Sequence, residues 1–182
     1  RELEERLSGP ARPGELYVVQ LDRAHRRATT DLDGRTYVFR ARADGSLERL
    51  QSFRSTSQPT TAQRSHDAAL ANGVPYLSPD LYSVSARRGG TQGQFADGGG
   101  YFAFRSGVNV VRDRNDSGRL DRGDGLFTAS GILFHDERYG SAGCQLIRDF
   151  PAFARLIEQN PSPRFTYLLV RDGDAVRDPR AA

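Results

Sequence analysis

The sequence predicts a mostly β domain with one short and one longer α-helix, and three observations lead there. Nineteen Gly and nine Pro in 182 residues call for many turns and short elements, which a helix bundle does not tolerate. Apolar residues come in short runs bounded by turn residues, at strand spacing. Only two stretches, 65–73 and 149–157, carry helix signals. With 37% hydrophobic residues the chain can bury one core, so a single domain over 15–171 is expected.

Taken in order, residues 1–14 are polar, contain Pro10 and Pro13, and read as a flexible N-terminal segment. Leu16, Tyr17, Val18, Val19 and Leu21 make 15–22 the first strand. Over 35–42, Tyr37 and Phe39 fall on one face and Val38 on the other. Asp44-Gly45-Ser46 is a turn, and 47–53 returns as the second arm of a hairpin. A polar loop covers 55–61. Ser65 can cap a short helix through Ala68, Ala69 and Leu70, which stops at Gly73.

Residues 81–84 form a strand after Pro79. The Gly-rich stretch 86–100 lacks the strand-Gly-helix context of a nucleotide fingerprint and reads as a loop. Strand character resumes at 101–104 and 108–111, and an apolar run over 131–134 ends at His135. Phe150, Phe153, Leu156 and Ile157 share one helical stripe, with Asp149 and Pro151 at its start. A closing strand covers 165–170, and 172–182 is a loose charged tail.

Composition removes several function classes. Basic side chains number 26 against 23 acids, a net charge of +3, and the signs alternate through 112–124. There is no basic stripe for nucleic acid and no apolar run long enough for a membrane span. Every basic residue is Arg and none is Lys, which excludes Ser-Lys dyads, Schiff-base lysines and a P-loop lysine. No signal peptide is visible. The chain begins with Arg1 rather than Met, which leaves room for a removed leader or a preceding domain and so for export.

There is one cysteine, which allows neither an internal disulfide nor a zinc knuckle. By type alone it would be a small buried apolar residue; its neighbours say otherwise. Gly131-Ile132-Leu133-Phe134 leads to His135. A polar loop with Tyr139 follows, then Ser141-Ala142-Gly143-Cys144-Gln145-Leu146-Ile147. A thiol with an ordinary pKa of about 8.5 needs a base to become a nucleophile. His135, nine positions upstream, can supply it if the loop folds back. Gly143 permits a close backbone approach, and N–H groups near Gly143 and Cys144 could face a developing oxyanion. Ser141 could orient the loop or the imidazole. Asp136 should point away from the imidazole if the strand continues.

Ser141, Gly143 and Cys144 after a strand-end His135 resemble the catalytic domain of the L,D-transpeptidase family (YkuD-like). The hairpin at 37–55 and the Pro79–Val84 strand are also similar. The resemblance implies a β-rich sandwich or barrel-like fold. It also implies acyl transfer on peptidoglycan stem peptides through a Cys144 acyl-enzyme, with His135 as general base. Ser141 and Gly143 would complete the catalytic set. Tyr139, Gln145 and Arg148 are expected to bind substrate. No cofactor is expected for catalysis, and a periplasmic or extracellular place follows. The chain departs from the family pattern in three ways. Ala142 replaces the usual second His, Gln145-Leu146 stands where an apolar residue and Arg are common, and the His–Cys gap is short. The acyl donor and acceptor stay open.

A second pattern lies at 113–124. Asp113, Asn115, Ser117, Asp121 and Asp124 place oxygens at calcium-loop positions, and Arg119 would contribute its backbone carbonyl. Gly118 and Leu120 fit the same spacing. The run is equally an Asp/Asn/Gly-rich surface turn, so a structural Ca2+ is one of two expectations. His25 lies in a charged turn and His66 at the start of the short helix; both read as solvated or capping residues, and zinc is not expected. Two other classes stay in view. One is a calcium-stabilised wall-binding or adhesion module with Cys144 buried. The other is a cysteine peptidase or toxin acting on another peptide; sortases and papain-like enzymes differ from this chain in spacing or in residue order.

Overall fold

The computed structural model describes residues 10–22, 32–60, 73–90, 92–114 and 124–171. Among the described residues, eleven strands run in the order β1 Leu16–Asp22, β2 Gly34–Ala41, β3 Leu47–Thr56, β4 Val74–Leu77, β5 Leu81–Ser85, β6 Tyr101–Ala103, β7 Val108–Asp113, β8 Leu126–Ala129, β9 Leu133–Asp136, β10 Gln145–Ile147 and β11 Arg164–Arg171. The same residues include one helix, α1 Phe150–Glu158, between β10 and β11, and short 3-10 turns at Gly93–Gly98 and Glu137–Tyr139. The protein is mostly β, as its turn-rich composition predicts. The short helix expected over 65–73 lies outside the described residues.

Eight strands form one sheet in the order β5-β11-β1-β2-β3-β10-β9-β6. A bridge between Val84 and Phe104 brings its two edges together, so the sheet is a nearly closed barrel. Two neighbour pairs are parallel, β1 with β11 and β9 with β10. The remaining strands make a small second sheet, β4-β7-β8.

Period-2 alternation sends one set of side chains inward from every barrel strand. Leu16, Val18, Val38, Phe53, Val84, Phe102, Phe134, Ile147, Phe165 and Leu169 form the apolar interior. Val38 is fully buried while Tyr37 and Phe39 lie on the other face, as their alternation predicts. The stripe Phe150, Phe153 and Ile157 of α1 packs onto this interior. Phe153 meets Phe53 edge-on at 5.5 Å and stacks on Phe134 at 6.2 Å. The inward positions nearer the other end are polar and equally buried: Gln20, Asp22, Thr36, Ser55, Ser57, Gln145 and Arg171.

Local structure departs from expectation at several places. Val74–Leu77, Leu126–Ala129 and Gln145–Ile147 are strands with no sequence forecast, because three or four residues give little periodic signal. Strand β9 starts at Leu133 and runs through His135 to Asp136, so the histidine sits within a strand. Asp149 does not cap α1 with its side chain. It adopts a left-handed conformation (φ 57°, ψ 48°) and its carbonyl accepts from Ala152 and Phe153 N–H; Asp tolerates this region better than most residues. At the N-terminal side, Ala11 is buried against Tyr17, Ala41 and Leu168, and Gly14 N–H donates to Ala41 O at 2.8 Å. The ordered fold therefore reaches back into the segment read as flexible.

Candidate active site

His135 lies in β9, and Cys144 immediately precedes its parallel neighbour β10. Register pairs Gln145 with Phe134 and Leu146 with His135. Gln145 and Phe134 are fully buried and face the barrel interior, so alternation turns Leu146 and His135 to the opposite face. Continued one residue back from Gln145 at strand spacing, Cys144 would have its Cα roughly 8 Å from that of His135. Two side chains leaning together can meet across that span. Cys144 is half-buried, and Sγ lies 3.9 Å from the carbonyl oxygen of Gly131.

His135 is 2% exposed. Its Nδ1 lies 3.0 Å from the carbonyl oxygen of Asp136. A carbonyl only accepts, so Nδ1 carries the proton of the neutral ring and Nε2 is left to take one. Burial holds the imidazole below its ordinary value, opposed by the Asp136 carbonyl bond and the Asp136 carboxylate. The Asp136 side chain itself faces elsewhere and accepts from Arg138 N–H and Nε–H, as its position in the strand predicts. Phe95 from the first 3-10 turn packs on the imidazole at 5.2 Å, with Tyr139 at 6.1 Å. The Tyr139 hydroxyl accepts the Gly98 N–H at 2.6 Å and ties that turn over His135.

The turn before the thiol is held by its own serine. Ser141 Oγ donates to Cys144 O at 2.8 Å and accepts from Gly143 N–H at 2.9 Å. Its one hydroxyl proton is thereby used, so Ser141 orients the loop and not the imidazole. The expectation that Gly143 N–H faces an oxyanion is also corrected, because that N–H points at Ser141. Gly143 is needed for a different reason. Its φ is 108°, and a Cβ there would stand 2.8 Å from the Pro75 carbonyl oxygen of β4. From the other side, Thr60 N–H donates to Ser141 O at 3.0 Å and Thr60 Oγ1 accepts Ser141 N–H at 3.2 Å.

Two of the expected substrate-binding residues lie elsewhere. Gln145 is fully buried; its Oε1 accepts from the Tyr167 hydroxyl at 2.8 Å and its Nε2–H donates to Gly143 O at 3.2 Å. It is a strut inside the barrel, out of reach of a peptide on the outer face. Arg148 lies past the far end of β10, roughly 13 Å along the strand from Cys144, in a two-pronged pair with Glu137. Tyr139 alone of the three lines the wall beside His135.

Of the calcium-loop residues, Asp113 is fully buried at the end of β7, and Asp124 Oδ1 accepts Arg114 N–H at 3.3 Å. The two ends of the loop therefore meet. Asn115, Ser117, Arg119 and Asp121 lie outside the described residues, as do His25 and His66. Among the described residues, no three His, Cys, Asp or Glu side chains are grouped to hold a metal, and no helix is long and apolar enough to cross a membrane.

Thr60, Phe95 and Pro75 reach the site from far along the chain, and nothing in their local sequence marks them. Comparison of the chain with protein-family models, curated proteins and solved structures found no match.

Proposed function

We propose that this protein is a cysteine acyltransferase of the L,D-transpeptidase type, acting on peptidoglycan stem peptides in the cell envelope. The observation that supports the reading is that Cys144 immediately precedes β10, the parallel neighbour of the strand that holds His135, and that Nδ1 of His135 faces a carbonyl, which leaves Nε2 free to serve as a base. Burial favours the neutral imidazole. That suits a general base which takes the thiol proton as attack begins, rather than a standing thiolate–imidazolium pair.

In this reading Sγ attacks the carbonyl of the L-centre in an L,D peptide bond, and its proton passes to Nε2. The imidazolium then protonates the departing amine, and the terminal D-residue leaves. The thioester on Cys144 is next attacked by an amine, which forms a cross-link, or by water, which releases the shortened peptide. His135 takes the proton of that second nucleophile in turn.

The test is incubation of the protein and a Cys144→Ala variant with purified muropeptides, followed by mass spectrometry. Loss of a terminal D-residue, a new cross-link, or an acyl adduct in the wild type alone supports the reading and separates its branches. No product and no adduct in either protein overturns it and favours the binding-module alternative.

A further inference from the structure

The polar end of the barrel holds a charged group that the proposed reaction does not use. Asp22 at the end of β1 and Arg171 at the end of β11 are register partners on parallel neighbours, 2% and 3% exposed. Ser57, just past β3, stands between them. Its N–H donates to Asp22 Oδ2 at 2.7 Å, its hydroxyl donates to the same oxygen, and it accepts from Arg171 Nη2 at 2.9 Å. Gly34 on β2 makes the room, since a Cβ there would stand 2.8 Å from Asp22 Oδ1. Taking an acid and a base out of water is costly, and well-packed apolar residues often serve stability as well. The arrangement calls for a role besides stability.

Position supplies one. The chain from Ser57 to Thr60 runs from this charged group to the thiol turn. Ser57, Gln58 and Pro59 are buried, Gln58 N–H donates to Thr56 Oγ1 at 3.1 Å, and Pro59 has a ring-fixed φ. Thr60 then makes two hydrogen bonds to Ser141, whose hydroxyl holds the Cys144 carbonyl. We infer that Asp22, Ser57 and Arg171 are positioning residues for Cys144, acting through the 57–60 segment and the Ser141 turn. The inference rests on the reading of Cys144 as a nucleophile. It concerns what aims the thiol, whatever the acyl donor.

The test reads the thiol directly. Alkylation of Cys144 by iodoacetamide is followed across pH for the wild type, Ser57→Ala, Thr60→Val, the double variant and Thr60→Ser, each checked by circular dichroism. Coupled groups in one network are non-additive. Each single removal of a hydroxyl should therefore change the alkylation rate about fivefold and move its pH midpoint, with the double variant no further from wild type than the larger single effect. Thr60→Ser, which keeps the hydroxyl, should restore wild-type behaviour. A Thr60→Val profile identical to wild type overturns the inference, as does a double variant whose effects multiply. If Ser57→Ala does not fold, Asp22→Asn takes its place in the same cycle; loss of folding there too overturns the positioning role in favour of a purely structural one. The expected pattern in a protein inactive on muropeptides supports the positioning role and overturns only the acyl-transfer reading.

Discussion

At Gly143 a side chain is excluded twice over, by a φ of 108° and by the Pro75 carbonyl 2.8 Å from where a Cβ would stand. Gly143→Ala should cost about 1–3 kcal/mol of stability, read as a lowered thermal midpoint, and should slow the chemistry by displacing the thiol. His135 titrates below the usual imidazole value because it is buried. Activity limited by this base should rise with pH through an inflection below about 6.5 and be level above it. His135→Gln should lower the rate by about 10²–10⁴-fold and remove the inflection. The same shift fixes the sign of a stability effect. The unfolded imidazole binds a proton first as pH falls below about 6.5, so folding weakens from there down to the depressed native value. Denaturation of the wild type and His135→Gln at pH 7 and 5 should show the variant losing less.

The helix α1 seals the apolar end of the barrel through a stripe that periodicity alone reveals: Phe150, Phe153 and Ile157, at spacings of three and four, are all fully buried. Phe153 touches Phe53, Phe102, Phe134 and Phe165, which come from four different strands. Phe153→Ala should cost about 3–5 kcal/mol, measurable as a fall in the chemical denaturation midpoint. The strands at 16–22, 34–41 and 164–171 were also legible, the middle one from its alternation and the other two as runs rich in apolar residues. Strands β4, β8 and β10 and the 3-10 turn carrying Phe95 were not. The strands are short, and the turn lies in a Gly-rich run whose conformation depends on what packs against it, here Tyr101, Tyr139 and His135.

Across the whole molecule, the barrel has an apolar end closed by α1 and a polar end beside the thiol turn. The small sheet β4-β7-β8 presses on that turn through Pro75. It also carries the 113–124 loop between β7 and β8, so an ion bound there would brace the sheet that fixes Gly143. Calcium in millimolar excess should raise the thermal midpoint relative to chelator if the loop binds it, since a ligand of the native state stabilises in proportion to ln(1 + [L]/Kd). An unchanged midpoint would favour the plain surface turn.

The sequence by itself determined the mostly β character, the stripe of α1 and the segment holding His135 and Cys144, because each is written in neighbouring residues. Tertiary structure decided which of those residues act together. The parallel pairing of β9 with β10 brings the segment that ends in Cys144 beside the strand of His135 and turns Gln145 inward, and a shift of one residue would exchange the two faces. The Ser141 turn is braced by Thr60 from 81 positions away, and Asp22 gained a charged partner only when β11 came to lie beside β1. Such contacts arise from strand order and register, which no local pattern of residue types encodes.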